Sequence, residues 1–412
     1  MKIKTTLFVL TLVLSGVTIL NAQRGFFMPP GVKTMDIPFE YNNNFIVIPM
    51  VVNGRLPMRF IFDTGAGHTL FLKKELSPIL DLKYERTFQV LGSDLSKPLT
   101  AYLAKGVRFD LPEKLVAPKE DILVLDEDFF RFEEYSGVEV QGILSGNIFA
   151  RYIYKINYDK GVITLYDRAF FDQKDVKGYT RFPLEVYREK PYFYTKLTMA
   201  ADSTADIKLL MDTGASMPLL LFADTHPMLK PPANAIPASI GQGLGGDIEG
   251  FTGRVKALEI GDFQQQNIVT YFQVLDTIVD SLAANKRNGV VGNGLLNRYS
   301  IILDYHSEQA WLKPSKRFKE EFIFDRSGIG VILTGEFLDT YVVHHILPGS
   351  PAAEADIRKG DIILRVGRKP ARWMTLTGIV HRFQGKPGKP LKIIVDRNGQ
   401  KLTKEIILRD LI

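Results

Sequence analysis

The tripeptide Asp-Thr-Gly occurs twice, at Asp63-Thr64-Gly65 and Asp212-Thr213-Gly214, each time at the end of an apolar run. The first run is Met58-Arg59-Phe60-Ile61-Phe62 and the second Ile207-Lys208-Leu209-Leu210-Met211; Ala66-Gly67 and Ala215-Ser216 follow the two turns. Short apolar runs closed by Gly turns predict buried strands. A carboxylate at the end of such a strand costs free energy unless it is paired or hydrogen-bonded.

The repetition extends beyond the tripeptide. The two aspartates are 149 positions apart (212 − 63), and Gly142-Ile143-Leu144-Ser145-Gly146 matches Gly289-Val290-Val291-Gly292-Asn293 at 147 (289 − 142). At 147 also, Arg151-Tyr152 matches Arg298-Tyr299, Asn157-Tyr158 matches Asp304-Tyr305, and Leu165 matches Leu312; Val124-Leu125-Asp126 answers Val274-Leu275-Asp276 at 150. A period of this size is a duplicated domain rather than a solenoid repeat, and it predicts two lobes facing each other about a pseudo-twofold axis.

These residues resemble the aspartic peptidases of the pepsin and retropepsin type, over about residues 36 to 313. The likeness is carried by the two Asp-Thr-Gly turns, by Val290-Val291-Gly292 followed by Leu295-Leu296, and by a Gly-rich hairpin between them. It implies a mainly β fold of two duplicated β-barrel lobes with a cleft between them, and Asp63 and Asp212 as catalytic residues. It also implies that Thr64 and Thr213 tie the two turns together across the axis. Where the pattern expects Gly, the first lobe has Ser145; a strict need for Gly would mean local strain or a shift of the turn onto Gly146, and Ser145 is read as tolerated variation.

Two carboxylates sharing one proton can deprotonate water and protonate a leaving amine without a metal or a covalent nucleophile. Like charges about 3 Å apart cannot both ionise, so one pKa rises; aspartic proteases are the standard example. Gly65 and Gly214 allow the sharp turn that aims N–H groups at the carboxylates. Ala66 and Ala215 bring no side-chain donor, which predicts an optimum near about pH 5 to 7 rather than in strong acid.

Over the cleft each half offers a hairpin as a flap: Leu91, Gly92 and Ser93 in the first, Gly241, Gly243 and Gly245 in the second. Glycines in a hairpin mark a close approach of backbone to ligand. A phosphate loop is the rival reading of the second hairpin, but no Lys-Ser/Thr and no helix signal follow it. The chain has no Cys, which excludes thiolate nucleophiles and thiolate zinc sites. His344-His345 fall in a strand-like run where neighbours face opposite sides, and His68 reads as a polar turn residue, so no metal or other cofactor is expected.

Residues 1–22, with Lys2, Lys4 and an apolar stretch from Leu7 to Leu20, read as a cleavable secretory signal. This leads to the expectation of a periplasmic or secreted protein with no membrane segment once the signal is removed. The net charge of +6, or +4 without Lys2 and Lys4 (6 − 2), is too mild and too scattered to indicate nucleic acid. The remainder divides into lobes at 23–170 and 171–316 and a third unit at 317–412, with 316–321 as a linker or short helix. That unit resembles a bacterial PDZ domain, an α+β fold, through Gly328-Ile329-Gly330-Val331, Pro348-Gly349-Ser350-Pro351-Ala352-Ala353, Lys359-Gly360-Asp361-Ile362-Ile363 and a closing strand Leu391 to Val395. The resemblance implies that N–H groups of Gly328, Ile329, Gly330 and Val331 capture a peptide C-terminus, and that the strand from Gly330 to Leu333 accepts extended segments by β-augmentation. A helix near Trp373 to Phe383 forms the other wall of the groove. The expected function is an aspartic endopeptidase acting on polypeptides that the PDZ unit binds or positions; the alternative is a catalytically silent periplasmic peptide-binding scaffold.

Overall fold

The computed structural model describes residues 24–91, 98–128, 131–199, 203–243, 246–274 and 287–412. Residues 1–22, read above as a signal, lie outside them. In the first half the strands are β1 (Thr34–Pro38), β2 (Glu40–Asn42), β3 (Phe45–Val52), β4 (Leu56–Asp63), β5 (Leu70–Phe71), β6 (Tyr84–Leu91), β7 (Pro98–Leu111), β8 (Leu115–Leu125), β9 (Gly142–Ser145), β10 (Ile153–Asn157) and β11 (Val162–Tyr166); helix α1 (Phe132–Ser136) precedes β9. The second half has β12 (Thr180–Pro183), β13 (Glu185–Tyr187), β14 (Lys190–Thr198), β15 (Thr204–Met211), β16 (Leu219–Phe222), β17 (Ile236–Gly243), β18 (Gly246–Ile260), β19 (Phe263–Gln273), β20 (Gly289–Val291), helix α2 (Asn293–Leu296), β21 (Tyr299–Asp304) and β22 (Gln309–Pro314).

The two halves follow one path. The first sheet runs β2-β3-β4-β9-β5-β8-β7-β6 and the second β13-β14-β15-β20-β16-β19-β18-β17, with the extra contacts β3–β7 and β14–β18 in equivalent places. A third sheet, β1-β11-β10-β21-β22-β12, joins them, and its central pair β10–β21 lies on the pseudo-twofold axis. The fold is therefore mainly β, two duplicated barrel-like lobes with a cleft between them, and one apolar core runs through both lobes and the joining sheet. The strand register corrects one equivalence: Leu70 pairs with Leu123 and its counterpart Leu220 with Tyr271, so Val124 corresponds to Phe272 and not to Val274.

Each Asp-Thr-Gly follows the strand at the heart of its sheet. Strand β4 lies between antiparallel β3 and parallel β9, and Phe60, Ile61 and Phe62 are fully buried. Strand β15 is held in the same way by β14 and β20, with Leu209, Leu210 and Met211 buried. Coverage on both faces explains why these runs are continuously apolar rather than alternating. The β3–β4 turn uses Asn53 and Gly54 at φ 50° and 63°, the left-handed pair that a tight hairpin requires.

The C-terminal domain has its own core. It comprises β23 (Ile329–Thr334), β24 (Thr340–Ile346), helix α3 (Pro351–Glu354), β25 (Ile362–Val366), β26 (Lys369–Pro370), helix α4 (Leu376–Phe383), β27 (Pro390–Arg397) and β28 (Gln400–Ile407), in the sheet order β23-β24-β25-β27-β28. Ser350 caps α3 by accepting from Ala353 N–H at 3.3 Å, with Pro351 in the first turn. Thr375 caps α4 by accepting from Gly378 N–H at 3.1 Å. Asp361 accepts from Arg397 at 2.7 and 2.8 Å, so the Lys-Gly-Asp motif ties β25 to β27. Two expectations change: the closing strand is β28 rather than the strand through Leu391 to Val395, and helix α4 begins only at Leu376. Between the second lobe and this domain the chain makes a turn over 316–319, without a helix. The Arg298 guanidinium donates to the carbonyls of Arg317, Glu320 and Glu321, and these side chain to backbone bonds hold the turn against the second lobe. Among the described residues no helix is long and apolar enough to cross a membrane.

Candidate active site

Strands β4 and β15 bring Asp63 and Asp212 together where the lobes meet. Four bonds lock the two turns: Thr64 N–H donates to Thr213 Oγ1 and Thr213 N–H to Thr64 Oγ1, both at 3.0 Å. The Thr64 hydroxyl donates to Met211 O at 2.7 Å and the Thr213 hydroxyl to Phe62 O at 2.8 Å. Both threonines are buried, so these exchanged bonds satisfy backbone groups that water cannot reach.

Gly65 and Gly214 allow the carboxylates to meet. A Cβ on Gly65 would lie 2.5 Å from Asp212 Oδ2, and one on Gly214 would strike the Asp63 carboxylate. The need here is close approach, since neither glycine has a positive φ. Asp63 Oδ1 accepts from Gly65 N–H at 2.6 Å and from Ala66 N–H at 2.9 Å; Asp212 Oδ1 accepts from Gly214 N–H at 2.8 Å. Burial, and then the charge and hydrogen bond of Asp212, hold the Asp63 carboxyl well above the usual carboxylate range; the Gly65 N–H and Lys190 pull the other way. One proton between two carboxylates is the state this environment favours.

The turns rest on loops that differ between lobes. A Cβ on Gly292 would lie 2.5 Å from Ala215 O and would also collide with Met217 O, so Gly is needed there for room. Ser145, its counterpart, has an ordinary φ of −61°, and its hydroxyl donates to Ala66 O at 2.6 Å. Ser145 carries no backbone strain, and its hydroxyl makes a bond to the turn that Gly cannot make. Gly146, next in line, packs on Thr64, where a Cβ would stand 2.9 Å from the Thr64 Cα.

Two residues that the sequence reading did not single out belong to the site. Fully buried Asn293 donates through Nδ2 to Thr213 O at 2.6 Å and to Asn44 O at 2.8 Å, and accepts from Tyr158 hydroxyl at 2.7 Å. Its position beside Gly292 was the available signal. Lys190, the first residue of β14, reaches over from the second lobe, with Cε 3.6 Å from where a Cβ on Gly67 would stand. Burial and Arg287 pull its ammonium below the ordinary lysine value, while Asp63 and Asp212 pull it up. No local pattern marks Lys190; only the fold brings it to Gly67.

The flap candidates sit on two equivalent hairpins, β6–β7 and β17–β18. Leu91 ends β6 opposite Pro98, while Gly241 and Gly243 pair with Ile248 and Gly246 beyond a bulge. Gly92, Ser93 and Gly245 lie outside the described residues. His68 is exposed, and His344 contacts Tyr135, whose hydroxyl lies 3.3 Å from His344 Nε2. Among the described residues no cluster of three or more His, Cys, Asp or Glu is placed to hold a metal.

In the C-terminal domain, Gly328 has φ 81° and packs on Ser350, which leaves no room for a side chain. The Asp325 carboxylate accepts from Ser327 N–H at 3.1 Å, from Ser327 hydroxyl at 2.7 Å and from Gly328 N–H; Ile329 N–H donates to Ser327 Oγ at 3.0 Å. Two of the loop's N–H groups are thus engaged within the chain. Burial pushes the Asp325 carboxyl up to about 6 against the pull of these donors. Gly330 and Val331 continue into the edge strand β23 across a bulge.

The family description "PDZ domain" matches residues 321–396. The C-terminal domain is a PDZ domain. A stretch of 121 residues, 29% of this chain, is 30% identical to a carboxy-terminal-processing protease of Bartonella bacilliformis and spans 27% of that protein's length. Among solved structures, the aspartic proteinase of Irpex lacteus is similar at a TM-score of 0.44 and 13% identity, covering 70% of this chain and 99% of that one. A photosystem II D1 C-terminal processing protease is similar at a TM-score of 0.20 and 22% identity, covering 21% of this chain and 23% of its own.

Proposed function

We propose that the chain is an aspartic-type endopeptidase in which Asp63 and Asp212 activate a water, and that its PDZ domain binds or positions polypeptide. The observation that carries this reading is the meeting of the two carboxylates across the axis, each facing the glycine of the opposite turn. Asp63, held protonated, donates toward the substrate carbonyl; ionised Asp212 takes a proton from water, and the shared proton passes to the leaving nitrogen. The oxygen of the water forms the new bond to the carbonyl carbon as the C–N bond breaks, so the reaction needs no further reactant. The two hairpins serve as flaps that exclude solvent over this centre, and the mature protein works in the periplasm or outside the cell.

Asp63→Asn and Asp212→Asn each remove the shared-proton chemistry while keeping the shape of the side chain. Both variants are expected to lose casein cleavage by the wild-type protein and to keep its melting temperature, and a pepstatin-type inhibitor is expected to block the wild type. Full activity in either variant would overturn the assignment. A folded wild type with no cleavage, which still binds extended peptides, would favour the scaffold reading.

A further inference from the structure

The edge strand β23 and helix α4 bound the groove of the PDZ domain, and the first lobe lies against both. Helix α1 packs along β23. Gly137, which follows the helix at φ 76°, brings its backbone so near that a Cβ would lie 3.0 Å from Leu376 Cβ at the start of α4. Tyr135 of the same helix meets His344, ring centres 6.0 Å apart and edge to face. Within β23, Val331 and Leu333 turn toward the PDZ core, yet Ile332 between them, on the other face, is only 5% exposed. A residue on the outer face of an edge strand is covered only when another element lies over it, and α1 is the element there.

The hairpin tip between β2 and β3 completes the contact. Asn43 N–H donates to Thr377 Oγ1 of α4 at 3.1 Å, and Asn43 Nδ2 donates to Tyr135 O at 2.6 Å. The next residue, Asn44, offers its carbonyl to Asn293 Nδ2, the group that also holds Thr213 O beside Asp212. One short chain of hydrogen bonds therefore runs from the wall of the PDZ groove to the second Asp-Thr-Gly turn.

We propose that the first lobe is the resident partner of the PDZ groove: α1 and the Asn43–Asn44 tip occupy the end of the groove near Thr377, and a polypeptide gains that end only when they undock. In the carboxylate loop the Gly328 and Ile329 N–H groups are engaged from within as well, by Asp325 and Ser327, so one end of the groove and two donors of the loop are taken in the resting chain. An incoming segment must offer extended backbone for β23 and exchange for the Tyr135 and Asn43 contacts. The consequence for substrate handling rests on the peptidase reading above; the docking itself does not.

The chain has no cysteine, so an Asn43→Cys/Thr377→Cys pair introduces the only two thiols, at positions where the Asn43 backbone already touches the Thr377 side chain. Hydrogen exchange of residues 329–334 and 131–137 is measured on the oxidised and reduced pair and on Thr377→Val in the full chain. Oxidation is expected to slow both segments by about tenfold, and Thr377→Val to speed both together. Exchange at β23 that ignores both changes would overturn the docking, whatever the activity. Cleavage of casein and of a peptide confined to the cleft is compared on the same protein. The lock is expected to slow casein alone, reversibly with reductant; equal cleavage of both substrates when oxidised would show that the groove does not have to open. No cleavage in any form would count against the dyad and leave the exchange result standing.

Discussion

At the scale of single residues, the site depends on groups defined by what they lack or by where they are carried. Gly65 and Gly214 matter because a methyl at either would occupy the space of the opposite carboxylate. Gly214→Ala is expected to lower kcat at least about a hundredfold, the usual cost of displacing reacting groups by about 1 Å, with secondary structure retained in circular dichroism. Lys190 acts through charge: it favours the ionised form of Asp63, so Lys190→Met is expected to raise the pKa of that carboxyl and move the basic limb of the pH–rate profile, where Asp63 loses its proton, to higher pH. An unmoved basic limb would place the ammonium outside the field of the dyad. Asp63, Asp212 and their turn residues were legible because a repeated tripeptide in register singles out positions. Lys190 and Asn293 were not, because their partners lie on other elements and no local pattern joins Lys190 to Gly67 or Asn293 to Asn44.

Among the elements, the strands that carry the aspartates were readable from their unbroken apolar runs, and the cause is their coverage on both faces. The joining sheet was not, since β1, β10 and β11 look like any half-buried strands until β21 is set beside β10. The equivalence of Val124 and Val274 misled because Val and Leu are common in strands, so a two-residue slip still yields an apolar match. In the PDZ domain, the Pro-Gly-Ser-Pro and Lys-Gly-Asp motifs were legible as turns, and the structure gives their reasons in the Ser350 cap and the Asp361–Arg397 pair. Arg397→Met leaves Asp361 buried without its guanidinium and is expected to lower the denaturant midpoint of this domain. An unchanged midpoint would mean that the pair behaves like an exposed one.

For the whole molecule, the duplication places two equivalent turns on one axis, and the departures from symmetry carry the individuality of the site. Ser145 stands against Gly292, Gly146 against Asn293, and Phe45 against Lys190, so the lobes share a path while presenting different surroundings to the two carboxylates. The PDZ domain rests on the first lobe rather than hanging from a tether, which sequence motifs for the domain alone had no way to reveal. The central claim is the shared proton, and the pH–rate profile of casein cleavage from pH 3 to 8 tests it most directly, with wild type and Asp63→Asn measured side by side. The wild type is expected to give a bell with its maximum near about pH 5 to 7, and the variant no cleavage. A maximum below about pH 3, or a profile that Asp63→Asn leaves intact, would contradict it.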